Sequence, residues 1–222
     1  MFESSISQSL TAALFDFDGT LVDASRAICE SFNATLKGRG MPRLPDDAIR
    51  PMIGRPLRDM FRQVGAASTE EDIDACVAAY REAFLPRSVA LSTLLPGVAD
   101  AVPRLAHRLR LGVVTNRMSD GAWRILHAHG LGGHFASVVG IERVRLAKPD
   151  PEPVHLALSE LGAAPRQAIM VGDTVDDVAA GLRAGVRAVG ITTGSTSREA
   201  LSQAGAHAVV DRIDELAAAL GV

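Results

Sequence analysis

Cysteine is nearly missing from this chain, with two residues in 222. Cys29 and Cys76 lie far apart inside helical patterns, with neither a metal-ligand spacing nor the makings of a disulfide framework. Buried free thiols in a reducing compartment are therefore expected. An excess of charge of one sign is missing too. The net charge is -3 and the pI is near 6.1, which argues against a dominant cationic face and a nucleic-acid partner. The local basic cluster from Arg104 to Arg110 reads as a solvated helix face. No apolar run is long enough to span a bilayer, and Met1 to Thr11 lacks the basic start and apolar stretch of a secretory signal. A cytoplasmic protein without a membrane partner is expected. The string Gly-x-x-x-x-Gly-Lys-Ser/Thr does not occur, so a nucleoside-triphosphate loop is not supported.

What is present is ordinary globular material: 47% hydrophobic and 22% charged residues. The length suits one core with a small satellite. An apolar run, Ala12 to Phe17, reads as a buried strand. A helix is expected near Asp23–Lys37, then a hinge-like Met41–Pro45, then helices near Asp46–Met52, Leu57–Val64 and Thr69–Phe84, with no strand between Asp23 and Leu95. Thr69 opens the last of these with a capping-box spacing. Pro103, inside the helical pattern Val98–His107, predicts a kink or a late helix start. From Arg110 on, short β-rich runs (Leu111–Thr115, Ser137–Val139, Ala168–Val171, Ala188–Ile191, Ala208–Val210) alternate with helical stretches. That alternation implies right-handed crossovers and an α/β fold, a parallel sheet with helices on both faces. The helical piece is then an insertion after the first strand. Residues 1–22 and 93–222 form the expected core, and residues 23–92 the inserted α-helical domain.

In an open parallel sheet, sites form at the carboxyl ends of the strands. The first apolar run ends in Asp16-Phe17-Asp18-Gly19-Thr20-Leu21. Side chains alternate along a strand, so Asp16 and Asp18 point the same way or converge on one rim where Gly19 permits a turn. Two crowded carboxylates hold either a proton or a cation. A plain acidic cap on a strand is the alternative. At about 6% usage per residue type, however, five specified positions recur by chance about once in several thousand such chains. Val113-Val114 ends in Thr115-Asn116, Ile169-Met170-Val171 ends in Gly172-Asp173, and Lys148-Pro149 comes after the Ser137 run.

These strings, in this order, resemble the haloacid dehalogenase-like hydrolases, whose first motif is Asp-x-Asp-Gly-Thr-Leu. The resemblance covers about Ala12 to Leu220 and implies a Rossmann-like core. Val114-Thr115-Asn116-Arg117, Leu95-Pro96-Gly97-Val98 and Ile53-Gly54-Arg55-Pro56-Leu57 further resemble phosphoglycolate-phosphatase-type members with a small helical cap. Arg117 stands where many such members carry Lys.

The resemblance implies a phosphatase of a small phosphorylated metabolite. Asp16 would be the nucleophile, forming an aspartyl phosphate, and Asp18 the general acid and base. Thr115, Asn116 and Lys148 would address the phosphoryl group. Mg²⁺ would be held by the Asp16 carboxylate, the Asp18 main-chain carbonyl and Asp173, with Asp177 supporting the metal shell or Lys148. Gly19 and Thr20 fall on the substrate side, as do Arg55, Arg58 and Arg117; Arg55 or Arg58 would face a carboxylate such as that of glycolate. Phosphoglycolate leads the substrates. A β-phosphoglucomutase-like phosphotransferase, a pyrophosphatase and a non-catalytic phosphate sensor are the alternatives. A monomer or weak homodimer is expected.

Overall fold

The computed structural model describes residues 10–220. Most of the Met1–Thr11 segment, on which the absence of a secretory signal is argued, therefore lies outside the described residues. Six strands form one sheet in the order β5-β4-β1-β6-β7-β8, every neighbouring pair parallel. They are β1 (Ala12–Phe15), β4 (Arg110–Val114), β5 (Phe135–Val139), β6 (Ala168–Gly172), β7 (Arg187–Ile191) and β8 (Ala208–Val210). The central strands are apolar throughout because both sheet faces are covered. Ala13, Phe15, Leu111, Val113, Ile169 and Val171 pack into the larger core, with α5 (Val98–Ala106), α6 (Ser119–Ala128) and α10 (Ile213–Ala219). Their alternates Ala12, Leu14, Val114, Ala168 and Met170 pack on the other face against α7 (Glu152–Leu161) and α8 (Val175–Arg183). A further helix, α9 (Arg198–Gln203), places Leu201 against Val178 and Ala188.

The chain leaves β1 to one side for β4 and β5 and returns to the other for β6, β7 and β8. The strand order thus reverses at β1, where a crevice opens at the carboxyl ends. Register fixes what lines it. Phe15 sits opposite Val113 on one side and Val171 on the other, so Asp16, Thr115 and Asp173 emerge together at the rim.

After β1 the chain turns on Gly19 (φ 88°) and forms β2 (Val22–Asp23), which pairs antiparallel with β3 (Thr93–Leu94). These strands carry the chain out and back. Between them lie α1 (Ser25–Gly38), α2 (Asp46–Ile49), α3 (Leu57–Gln63) and α4 (Glu70–Ser88). Rings hold this insert together: Phe32 stacks on Phe61 at 4.6 Å between centroids, and Tyr80 stacks on Phe84 at 5.6 Å. As the spacing predicts, Thr69 caps α4, accepting from the Asp72 N–H at 3.1 Å.

Three details differ from the sequence-based expectation. The strand Thr93–Leu94 occurs where none is predicted, because two residues show no periodicity. The predicted helix Asp46–Met52 splits, with a 3₁₀ turn over Arg50–Met52, since Pro51 has no N–H to continue the ladder. Finally, of the two outcomes expected from Pro103 the late start does not occur: α5 starts directly at Val98 and continues past Pro103. Its buried face of Val98, Ala101, Val102 and Leu105 outweighs one lost backbone bond. Cys29 and Cys76 are buried and free. Among the described residues no helix is long and apolar enough to cross a membrane.

Candidate active site

At the rim of β1, β4 and β6, four ionisable side chains meet out of reach of water. Asp16, Lys148, Asp173 and Asp177 are each at most 3% exposed. Asp16 leaves the end of β1, where its N–H donates to the Val171 carbonyl at 2.8 Å. The Lys148 ammonium donates to Asp16 Oδ1 at 2.6 Å, to Asp177 Oδ1 at 2.6 Å and to the Val114 carbonyl at 2.8 Å. All three of its donors are thereby used. The peptide joining Lys148 to Pro149 is cis. Asp177 stands in the first turn of α8 and closes a capping box there. Its Oδ2 accepts from the Thr174 N–H at 3.0 Å and hydroxyl at 2.6 Å, while Thr174 Oγ1 accepts from the Asp177 N–H. One carboxylate therefore caps the helix with one oxygen and positions Lys148 with the other.

Asp173 lies just past β6 and takes a hydrogen bond from the Thr20 hydroxyl at 3.1 Å. Two glycines let it sit there. A Cβ on Gly19 would come within 2.6 Å of Asp173 Oδ2, at a φ of +88°, and one on Gly194 within 1.7 Å. Thr193 ties the loop after β7 to the same turn by donating to the Gly19 carbonyl at 2.6 Å. Reading the sequence alone misses Thr193 and Gly194, although they come after the Ala188–Ile191 run as Asp173 comes after its own.

Oxygens of Asp16, Asp173 and Asp177 lie within 4.8 Å of one another. Burial pushes Asp16 up to about 7; Lys148 pulls it down and Asp177 pushes it up further. Burial, with Asp16 and Asp177 beside it, likewise holds Asp173 well above the usual carboxylate range. Lys148 runs the other way. Burial opposes its charge, but Asp16 and Asp177 outweigh burial and hold the amine protonated. The cluster fits a hard divalent cation. All its donors are oxygens, and among the described residues nothing donates to Asp16 Oδ2 or Asp173 Oδ2. Both oxygens of Asp177 are engaged, so this carboxylate serves Lys148 first.

The second carboxylate of the motif is held elsewhere. Arg117 clamps Asp18 with two bonds, Nε to Oδ2 at 2.9 Å and Nη2 to Oδ1 at 2.6 Å. Its guanidinium lies between the Phe84 ring of α4, 4.5 Å from the centroid, and the Phe17 ring, at 5.5 Å. The sequence suggests Arg117 as a substrate contact; the structure makes it the partner of Asp18. Asn116, expected at the phosphoryl group, instead donates across to the Gly54 carbonyl of the insert at 2.9 Å. Thr115 Oγ1 accepts from the Arg117 N–H at 3.1 Å. Arg55 and Arg58 both border the cleft above Asp16 and Asp18. Arg55 donates to Gln63, and Arg58 is paired with Glu70 and Asp74. A substrate carboxylate would compete with those acids for Arg58.

Residues 13–191 match the family model described as haloacid dehalogenase-like hydrolase. The chain is 34% identical over 214 residues to "Pyrophosphatase PpaX" of Bacillus velezensis, covering 96% of this chain and 97% of that one. It is 36% identical over 212 residues to "Probable phosphatase IndB" of Dickeya dadantii, covering 93% and 91%. Among solved structures, a haloacid dehalogenase-like family hydrolase from Streptococcus pneumoniae superposes with a TM-score of 0.84 at 27% identity, over 95% of this chain and 98% of that one. With sheet order, rim and family model in agreement, the chain belongs to the haloacid dehalogenase-like hydrolases.

Proposed function

We propose that this chain is a Mg²⁺-dependent phosphomonoesterase that cleaves a small organic phosphate through an aspartyl phosphate on Asp16. One observation carries the reading. Carboxylates from two strand ends and a helix start, Asp16, Asp173 and Asp177, are buried together around a single lysine. Burying three acids is costly, and a cation that also meets a phosphate gives that cost a use.

Asp16 and Asp173 would hold the ion, with the Asp18 carbonyl; the ion would neutralise phosphate oxygens and let a carboxylate approach phosphorus. Asp16 Oδ2 then attacks phosphorus, and the bond to the ester oxygen breaks. Asp18 supplies the proton to that oxygen and later takes one from the water that releases phosphate. Asp18 can do this only after a contact from Arg117 opens. Lys148 holds Asp16 Oδ1, turning the free oxygen toward the substrate. Thr115 and Asn116 stand near the phosphoryl position, Asn116 with the second N–H of its amide while the first holds the Gly54 carbonyl. Gly19 and Thr20 shape the Asp173 wall. Residues 23–92 would act as a cap that excludes water.

The test is hydrolysis of p-nitrophenyl phosphate. Activity should require Mg²⁺, vanish with a chelator, and fall at least about a thousandfold in Asp16→Asn, since the nucleophile is removed. Activity that survives Asp16→Asn refutes the reading. A pyrophosphatase is the second reading, favoured by relatives named "Pyrophosphatase PpaX", and pyrophosphate belongs in the same assay.

A further inference from the structure

We infer that the leaving group is bulky, uncharged and largely hydrocarbon, so that the substrate class is the phosphate monoester of an apolar alcohol. This rests on the reading of Asp16 as the nucleophile. The cleft above Asp16 and Asp18 has a volume of about 520 Å³. Pockets for drug-sized ligands run about 300–1,000 Å³, and a two-carbon acid occupies little of such a space. The insert contributes Ile53, Leu57, Met60, Val77, Tyr80 and Phe84 to the lining, with Arg55, Arg58, Asp74 and Arg81 among them. Leu85 borders the same cleft while 38% exposed, an apolar side chain left to water.

The charges around the cleft point the same way. Arg117 is taken by Asp18 and Arg58 by Glu70 and Asp74. Asp120 and Glu142 add negative charge to the lining. Among the described residues only Arg55 and Arg81 of the lining arginines lack a carboxylate partner, and both are exposed, where solvent screens them. A second anionic group, whether the carboxylate of glycolate or the far phosphate of pyrophosphate, meets no buried unpaired cation. An apolar group instead gains about fourfold in affinity for each methylene it buries.

The experiment compares ethyl, butyl and hexyl phosphate, whose leaving alcohols are nearly equal in basicity, with phosphoglycolate and pyrophosphate. All are assayed with Mg²⁺. The expected result is a kcat/KM that rises at least about tenfold from ethyl to hexyl phosphate, with phosphoglycolate and pyrophosphate below hexyl phosphate. Leu57→Ser should flatten the hexyl-to-ethyl ratio by about threefold or more. The ratio is read on one preparation, so loss of folded protein cancels. A flat or falling series, or a preference for either of the more highly charged competitors, overturns the apolar leaving group. If activity is still lost in Asp16→Asn, the catalytic reading survives that outcome. Equal activity in Asp16→Asn overturns both.

Discussion

Lys148 is a buried amine whose three donors end on two carboxylates and a carbonyl. Removing it leaves Asp16 and Asp177 facing each other with no counter-charge. Breaking a buried pair in this way costs about 3–5 kcal/mol. Lys148→Met, which keeps the stem but not the charge, should lower the metal-free unfolding free energy by about that amount near pH 8. The loss should shrink near pH 5, below the raised value of Asp16, where a proton on that carboxyl replaces the charge of the amine. A urea titration at both values checks this, and an equal loss at the two would mean that packing, not charge, is at stake. The wild-type protein has its own pH signature. Asp16 is raised from 3.8 to about 7. Between those values the unfolded chain has lost a proton that the folded chain keeps, so metal-free stability falls as pH rises through that window. A bound cation displaces that proton, so the rise in Tm on adding Mg²⁺ should be larger at pH 7 than at pH 5. Melting curves with Mg²⁺ and with chelator decide it; a Mg²⁺ shift independent of pH would place the ion away from Asp16.

The loops that leave the strands carry as much of the site as the charged residues do. Gly194 has room for no side chain, because a Cβ would lie 1.7 Å from Asp173 Oδ2. Gly194→Ala must move the loop after β7 or turn Asp173. With Asp173 as the proposed metal ligand, such a change beside it should cost about 10- to 100-fold in metal affinity. The Mg²⁺ concentration for half-maximal activity should rise at least about tenfold with unchanged far-UV circular dichroism; an unchanged requirement would show that the loop gives way freely. This loop also shows what a sequence discloses. Asp16, Asp173 and Lys148 can be placed at one rim from the apolar runs and the polar residues that end them, since parallel register dictates where strand ends meet. Gly194 obeys the same logic, but a Thr-Thr-Gly string carries no charge to draw the eye. The ribbon of Val22–Asp23 with Thr93–Leu94 has no legible period. The partners of Asn116 and Arg117 lie 62 and 99 residues away; the first contact is set by how the insert rests on the sheet, the second by which side chains meet at the rim, and no local pattern reports either.

Across the whole molecule, the insert is joined to the sheet covalently only through Asp23 and Thr93, so its position over the rim depends on side-chain ties. Two of them lie at the rim: Asn116 to the Gly54 carbonyl, and the Arg117 guanidinium on the Phe84 ring while bound to Asp18. Both start from the segment just after β4, which also borders the phosphoryl position. A phosphate in the site and an insert held down therefore involve the same residues, and binding at one biases the other. Ligand binding should favour keeping these ties closed. Hydrogen exchange with Mg²⁺ and vanadate, compared with Mg²⁺ alone, should show slower exchange for amides of α3 and α4 while those of β6 and β7 change little. In a protein carrying Asn116→Ala and Phe84→Ala together, the added protection of α3 and α4 should fall by at least about half, as two of the ties that transmit it are gone. Protection that is unchanged by vanadate would mean that the insert does not answer to the site. Protection equal in the double variant and the wild type would place the linkage in the β2–β3 ribbon rather than in Asn116 and Phe84.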